Sequence, residues 1–516
     1  MRFPLNKQLV VHAGIVASAT LLSRILGFAR DMCMAWLLGG GPVADALALA
    51  LRLPNLARRL LGEGTLSMSL TASFAGSLAF AGVQPDATDG HERISRLAAS
   101  VGIRFAVVLG CAVLLGEVLA QPLMALLAPG LQAEFAAHSA FLLRICLPYA
   151  FFAGMSALAM ALLHSLRSFF LPSLSPAFFN LTVIVFAGLA ALDLADPALL
   201  LALGVLCGGF VQCLSQGIAL HKLGVRPWKI HPGHLDETAT ELRRNLRRLP
   251  LSIVGAAAPQ LSMVGAAVLA SWLPAGSIAA LYYAERILEF PLGLAGTALG
   301  MASLPSLAAL AAAQRTADME QEATDALRLS LCISLPAASG LLAVAEALVR
   351  LLFLHGAFDS QALADTTLAL CAYAPGLPAY AASRSLLALC NARNNTRLAA
   401  TSTFISVPCA FLAGLLLLPC GMPGPALGVS LGLWIQAATI WFGLRRNGAA
   451  LHISPAALVR YTAGASLVFA TAHLGLLLLP GSLLSLMLAV PLAIVAYTLF
   501  LLLLGDRDIM RLMRRA

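Results

Sequence analysis

The stretch Leu476-Leu477-Leu478-Leu479-Pro480-Gly481 joins two apolar runs, 457–479 and 482–505. Each run is long enough to cross a bilayer, because a hydrocarbon core about 30 Å thick needs about 20 apolar residues at about 1.5 Å per helical residue. A Pro-Gly pair between them makes a turn and leaves no room for a domain. Reading outward, the chain offers about fourteen such runs. They lie near 9–38, 43–81, 97–120, 138–163, 171–192, 197–221, 249–273, 277–311, 326–349, 362–390, 398–419, 424–444, 457–479 and 482–505. Two of them, 43–81 and 277–311, are too long for one plain span. Each contains Pro and Gly, which predicts bent helices that continue beyond the membrane.

Composition agrees. The 516 residues are 60% hydrophobic and 11% charged, with a mean hydropathy of +0.87. Soluble domains carry about 25% charged residues, and a soluble chain of this length could not hide so much apolar surface in a core. The fold class is therefore an all-α polytopic membrane protein. The formal net charge of +9 is not a nucleic-acid signature, since the basic residues sit in short clusters between apolar runs with no continuous basic face. Most of the ten Cys lie inside apolar runs, among them Cys111, Cys146, Cys207, Cys332 and Cys409, and read as small buried hydrophobes. No CxxC or Cys/His metal spacing occurs, so no metal or other cofactor is expected. Arg2, Lys7 and the small residues Ala17-Ser18-Ala19 imitate a signal peptide, but the apolar segment runs on through Leu26 and Phe28 to Leu38. It reads as an uncleaved first span.

Loop charges set the orientation. With the N-terminus in the cytoplasm, the cytoplasmic connections hold Arg93 and Arg96, Arg167, a long central set from Lys222 to Arg248, Arg315 and Arg328, Arg393 and Arg397, and Arg445, Arg446 and Arg460. The tail adds Arg507, Arg511, Arg514 and Arg515. The opposite connections are short or acidic, and only Arg350 breaks the rule. Both termini are expected inside a bacterial inner membrane. The basic loop divides six spans from six, with two more at the end. The expected organisation is an N-terminal lobe over 1–222, a cytoplasmic loop over 223–248, a C-terminal lobe over 249–446, and a terminal pair with its tail over 447–516. A faint repeat supports two halves: Pro148, Ser156 and Ala161-Leu162 echo Pro375, Ser383 and Ala388-Leu389 at the same separation.

The informative residues are charges inside spans, where each costs at least about 2.5–3.5 kcal/mol. The first span carries Ser23-Arg24-Ile25-Leu26-Gly27-Phe28-Ala29-Arg30-Asp31. At helical pitch Arg24 and Asp31 share a face. The second carries Asp45, Arg52, Arg58, Arg59 and Glu63. An unbroken helix would put Asp45, Arg52, Arg59 and Glu63 on one stripe, unless Pro54 bends it. The eighth carries Glu285, Arg286 and Glu289, and the last two can pair. Arg58, Arg59 and Glu63 also suit a cytoplasmic surface, where Arg snorkels. A surplus of guanidinium groups would attract an anion, and their planar forks suit a phosphate or diphosphate.

The first-span run, together with Ala44-Asp45-Ala46 and Leu53-Pro54-Asn55-Leu56-Ala57-Arg58-Arg59-Leu60-Leu61-Gly62-Glu63-Gly64, resembles the signature of the MurJ/MviN lipid II flippases. A second match is Tyr282-Tyr283-Ala284-Glu285-Arg286-Ile287-Leu288-Glu289-Phe290-Pro291, continuing through Gly293 and Gly296 to Leu304-Pro305-Ser306-Leu307. The resemblance covers the whole chain. It implies the fold of the multidrug/oligosaccharidyl-lipid/polysaccharide exporter superfamily: two six-helix lobes around a cationic cavity, with two C-terminal helices forming a groove for a lipid tail. It implies translocation of undecaprenyl-diphosphate-linked peptidoglycan precursor, lipid II, from the cytoplasmic to the periplasmic leaflet. The positions matching the family's essential charges are Arg24, Arg30, Asp31, Asp45, Arg58 and Arg286. Glu63, Glu285 and Glu289 match its acidic partners, with Arg52 and Arg59 beside them. Glu285 stands where many relatives have Asp. Some members bind sodium between spans seven and eleven, but 249–273 and 398–419 contain no Asp or Glu here, so such a site is not expected.

These residues suggest alternating access, in which Arg30, Arg58 and Arg286 hold the diphosphate and Asp31 orients Arg30 and Arg286 when substrate is absent. The membrane potential or an ion gradient would drive it. Expected partners are lipid II, the bilayer and, as candidates, cell-wall synthesis proteins. An O-antigen or polysaccharide-lipid flippase, or a multidrug exporter of the same superfamily, is the alternative. An enzyme is disfavoured, since no DDxxD, no metal-spaced His/Asp set and no sizeable extramembrane domain occurs.

Overall fold

A computed structural model of the chain describes residues 7–62, 70–71, 74, 88–225, 254–255, 257–292, 306–307, 309–478 and 483–506. Among them every regular element is a helix. Nine described helices are long and apolar enough to cross a membrane. The remaining expected spans also coincide with helices, shorter, interrupted or more charged, so the all-α polytopic expectation of about fourteen spans holds. The chain forms two compact units, Met1–Ile253 and Val254–Ala516. Most of the expected central loop, 226–248, lies outside the described residues.

The first unit holds α1 (Lys7–Leu38), α2 (Pro42–Gly62), α3 (Thr88–Val118), α4 (Ala120–Leu127), α5 (Ala133–Cys146), α6 (Pro148–Ser165), α7 (Phe170–Ala190) and α8 (Pro197–Lys222). Helix α7 packs against both α1 and α8, and α2 lies against α5 and α6. Helix α2 is buried at every residue from Ala44 to Arg52, as an apolar helix must be when neighbours surround it. It runs unbroken through Pro54 to Gly62, and most of the remainder of the expected 43–81 lies outside the described residues. Helix α3 shows the opposite environment. Val107, Val108, Leu114 and Leu115 are exposed to what must be lipid. Cys111 shares that exposure, so it is a lipid-facing thiol rather than a buried one. Asp196 starts α8, accepting the Leu199 N–H at 3.0 Å ahead of Pro197, the usual N-cap arrangement.

The second unit holds α9 (Ala257–Ala270), α10 (Ser277–Leu292), α11 (Thr316–Phe353), α12 (Ser360–Tyr373), a 3-10 turn (Ala374–Gly376), α13 (Leu377–Ala392), α14 (Thr396–Leu416), α15 (Pro423–Arg446), α16 (Pro455–Leu478) and α17 (Leu483–Leu503). The long α11 is its spine, packed against α12, α13 and α16. The continuation of 277–311 past Leu292 is largely outside the described residues. The sequence echo has a structural counterpart. The expected span 138–163 breaks between α5 and α6 at Leu147-Pro148, and 362–390 breaks at the 3-10 turn holding Pro375. Both second halves end in a left-handed residue, Arg167 (φ 58) and Asn394 (φ 55), the same distance beyond their prolines.

Candidate functional site

Arg30 sits near the end of α1, where its guanidinium is held from several directions. Nε and Nη2 donate to Asp31 Oδ1 at 2.9 and 2.7 Å, and Nη1 donates to Asn180 Oδ1 of α7 at 3.0 Å. The guanidinium carbon lies 5.6 Å from the centroid of the Phe179 ring, within cation–π range. Asn180 turns its Nδ2 back to the Ser23 carbonyl at 2.9 Å, stitching α7 to α1. Phe179 in turn stacks on Tyr149 of α6 at 4.9 Å. Gly208 of α8 makes the space: a Cβ there would lie 2.9 Å from the Phe179 ring and 3.0 Å from its carbonyl oxygen. Asp31 is buried, so its charge is compensated by a partner of fixed geometry.

The other charges of this unit are placed differently. Arg24 is exposed and makes no ion pair among the described residues. It shares a helix face with Asp31 as expected, but seven residues put it about 10 Å away along the axis, and the Asp31 carboxylate is taken by Arg30. On the unbroken α2, Asp45 and Arg52 are buried while Arg58 and Arg59 are half-buried. Glu63 lies outside the described residues.

In the second unit, α10 is buried from Ser277 through Leu288, a stretch that carries Glu285 and Arg286, with Glu289 just beyond it. Arg286 is 8% exposed. Its Nη1 donates to Glu289 Oε2 at 3.1 Å, the pairing that their spacing suggests, and its guanidinium lies 4.8 Å from the Tyr282 ring centroid. Its Nε has no hydrogen-bond partner among the described residues. A buried donor left open is costly unless something else meets it. Glu285 faces elsewhere, accepting from Tyr373 Oη of α12 at 3.3 Å.

Two residues around Arg30, and one charge on α13, escaped the sequence reading. Asn180 and Phe179 are uncharged residues in an apolar helix, 150 residues from Arg30, and no local pattern signals them. Arg384 could have been found as a charge inside 362–390. It is the one residue of α13 between Leu377 and Cys390 that is not buried, and its guanidinium lies 5.5 Å from the Tyr380 ring. It makes no ion pair among the described residues. Where the family resemblance raises sodium, the Gly255 carbonyl accepts from Thr403 Oγ1 at 3.2 Å and Gln436 Nε2 at 3.3 Å.

A family model described as lipid II flippase MurJ matches residues 34–499. A probable lipid II flippase MurJ of Bdellovibrio bacteriovorus is 32% identical, over 99% of this chain and 97% of its own length. Its counterpart in Vibrio cholerae is 30% identical, over 86% of this chain and 84% of its own length. Among solved structures, a lipid II flippase MurJ in an inward closed conformation superposes with a TM-score of 0.73 at 21% identity, covering 94% of this chain and 97% of that one. An inward-facing multidrug transporter of the MATE family gives 0.68 at 15% identity, covering 85% and 98%. The last two likenesses concern the fold.

Proposed function

The chain belongs to the lipid II flippase MurJ family, and from that premise we propose how its own residues move an anionic lipid across the membrane. The protein translocates lipid II, the undecaprenyl-diphosphate-linked peptidoglycan precursor, from the cytoplasmic to the periplasmic leaflet. The observation that carries the reading is Arg286: a buried guanidinium with one acidic partner and an Nε that nothing described accepts from. A phosphate oxygen is the acceptor such a fork takes best. Arg24, Arg30, Arg58 and Arg286 contact the diphosphate during the cycle, while Asp31 and Asp45 orient them. Arg52, Arg59, Glu63, Glu285 and Glu289 support those charges.

The lobes of this reading are 1–222 and 249–446, joined by the basic loop 223–248. The terminal pair within 447–516 offers the lipid tail an aliphatic surface. Lipid II would favour closure through differential binding to the two states, since a ligand that binds both equally shifts nothing. The membrane potential is worth about 2.3 kcal/mol per charge per 100 mV and is a sufficient drive. The protein performs no covalent chemistry in this account. It sits in the inner membrane with both termini in the cytoplasm, where cell-wall synthesis proteins can reach its loops.

The multidrug exporters share the fold, but a cation exporter needs acids rather than spare guanidinium groups. The test is depletion of the native flippase in cells that carry this chain, followed by an assay of precursor on each leaflet. The reading requires that the wild-type chain restore precursor to the periplasmic leaflet. Accumulation on the cytoplasmic leaflet despite good expression would refute it.

A further inference from the structure

Helix α11 contains Pro336 in its interior. Proline has no N–H, so the carbonyl four residues earlier, that of Cys332, loses its helical donor, which makes this the point where α11 bends most readily. Inside a membrane that carbonyl has no water to turn to, and a neighbouring side chain must satisfy it. The donor is present. Tyr497 Oη of α17 donates to Cys332 O at 2.6 Å, with the Cys332 thiol 3.6 Å from the same hydroxyl. Cys332 is fully buried and Tyr497 nearly so.

The ring reaches this carbonyl through a gap built for it. At Gly464 of α16 a Cβ would stand 2.5 Å from Tyr497 Cε2, a clash that only glycine avoids. Just beyond Pro336, Ser339 Oγ of α11 donates to the Ala465 carbonyl of α16 at 2.5 Å. About one turn further toward the open end of the pair, Arg460 of α16 binds the buried Asp506 after α17 at 3.1 Å. The terminal hairpin is thus closed on itself by an ion pair and seated on the Pro336 segment of α11 by two hydrogen bonds.

We propose that the Tyr497 hydroxyl is a latch: it occupies the carbonyl that Pro336 strips of its donor, fixes the bend of α11, and couples the terminal helix pair to movement of that bend in the transport cycle. The inference rests on the transport reading above for its last clause only. The latch itself is a property of the second unit without substrate.

Tyr497→Phe keeps the ring against Gly464 and removes only the hydroxyl. Pro336→Ala restores the missing helical donor, so the Cys332 carbonyl no longer needs the tyrosine. A double-mutant cycle therefore isolates the latch. In purified protein without substrate, Tyr497→Phe should speed amide exchange in the α11 segment around Pro336 by about fivefold, what one ordinary hydrogen bond shifts in an equilibrium. In the Pro336→Ala background the same substitution should change exchange little. In flippase-depleted cells, Tyr497→Phe should slow delivery of precursor to the outer leaflet, and Pro336→Ala with Tyr497→Phe should match Pro336→Ala alone. Should Tyr497→Phe fail to fold, recovery of a folded protein in the double variant supports the latch, and failure of both overturns it. Unchanged exchange in Tyr497→Phe, or an equal increase in both backgrounds, also overturns it. Coupled exchange with normal transport would refute only the mechanical role and leave the transport reading intact.

Discussion

Arg30 and Arg286 are both buried or half-buried guanidinium groups in apolar helices, yet their surroundings differ in kind. Arg30 has a buried carboxylate, an amide oxygen and a ring face, each from a fixed position. Arg286 has a ring and one carboxylate, and that carboxylate belongs to Glu289, which is 33% exposed. The first arrangement is a finished piece of structure, while the second keeps a donor in reserve. The comparison teaches that charges inside a span do two jobs. In the proposed reading one kind of arginine sets the packing of its lobe and meets the substrate from a position already fixed. The other keeps an open donor that, in the proposed reading, the ligand completes.

The largest effect should come from breaking the finished arrangement. Arg30→Ala leaves Asp31 buried and uncompensated, which costs about 3–5 kcal/mol. Membrane abundance, read by immunoblot, should fall along with function, and Asp31→Asn added to it should restore abundance without restoring transport. Arg286→Ala should separate the two readouts. Glu289 can hydrate, so abundance should stay near wild type while complementation of a flippase-depleted strain is lost. Asn180→Leu removes the cross-helix bond to the Ser23 carbonyl, which keeps its helical donor, and strands one Arg30 donor, a cost of about 1–3 kcal/mol that thermal unfolding in detergent would register. Arg384→Gln should lower transport about tenfold if Arg384 makes one charge-assisted contact with substrate, with no change in melting temperature. Arg350→Ala is the smallest. Its pair with Glu346 is exposed on both sides, at 52% and 65%, so the shift should stay under about 0.5 kcal/mol. A large loss there would blur the distinction between finished and unfinished charges.

The helices were legible because lipid imposes a length and an apolar composition on each span, and nearly every expected run coincides with one helix or a broken pair. Arg30, Asp31, Arg286 and Glu289 were legible because charge is expensive in that solvent, and the pairing of the last two follows from spacing along one helix. Asn180, Tyr373 and Tyr497 were not. Each meets its partner across a long stretch of chain, and amides and phenols are too common in membrane helices to stand out. Pro54 and Pro336 look alike in sequence. Both helices run on through them, and only packing shows that the carbonyl freed by Pro336 is met by a tyrosine from the last helix.

The most direct measurement is equilibrium binding of lipid II to purified wild-type protein, Arg286→Ala and Arg350→Ala in the same lipid nanodiscs. If the open guanidinium receives the diphosphate, Arg286→Ala should weaken binding at least about tenfold, the worth of one charge-assisted contact, with Arg350→Ala indistinguishable from wild type. Equal affinity in all three proteins would mean that the buried arginine serves only the packing of its own helix.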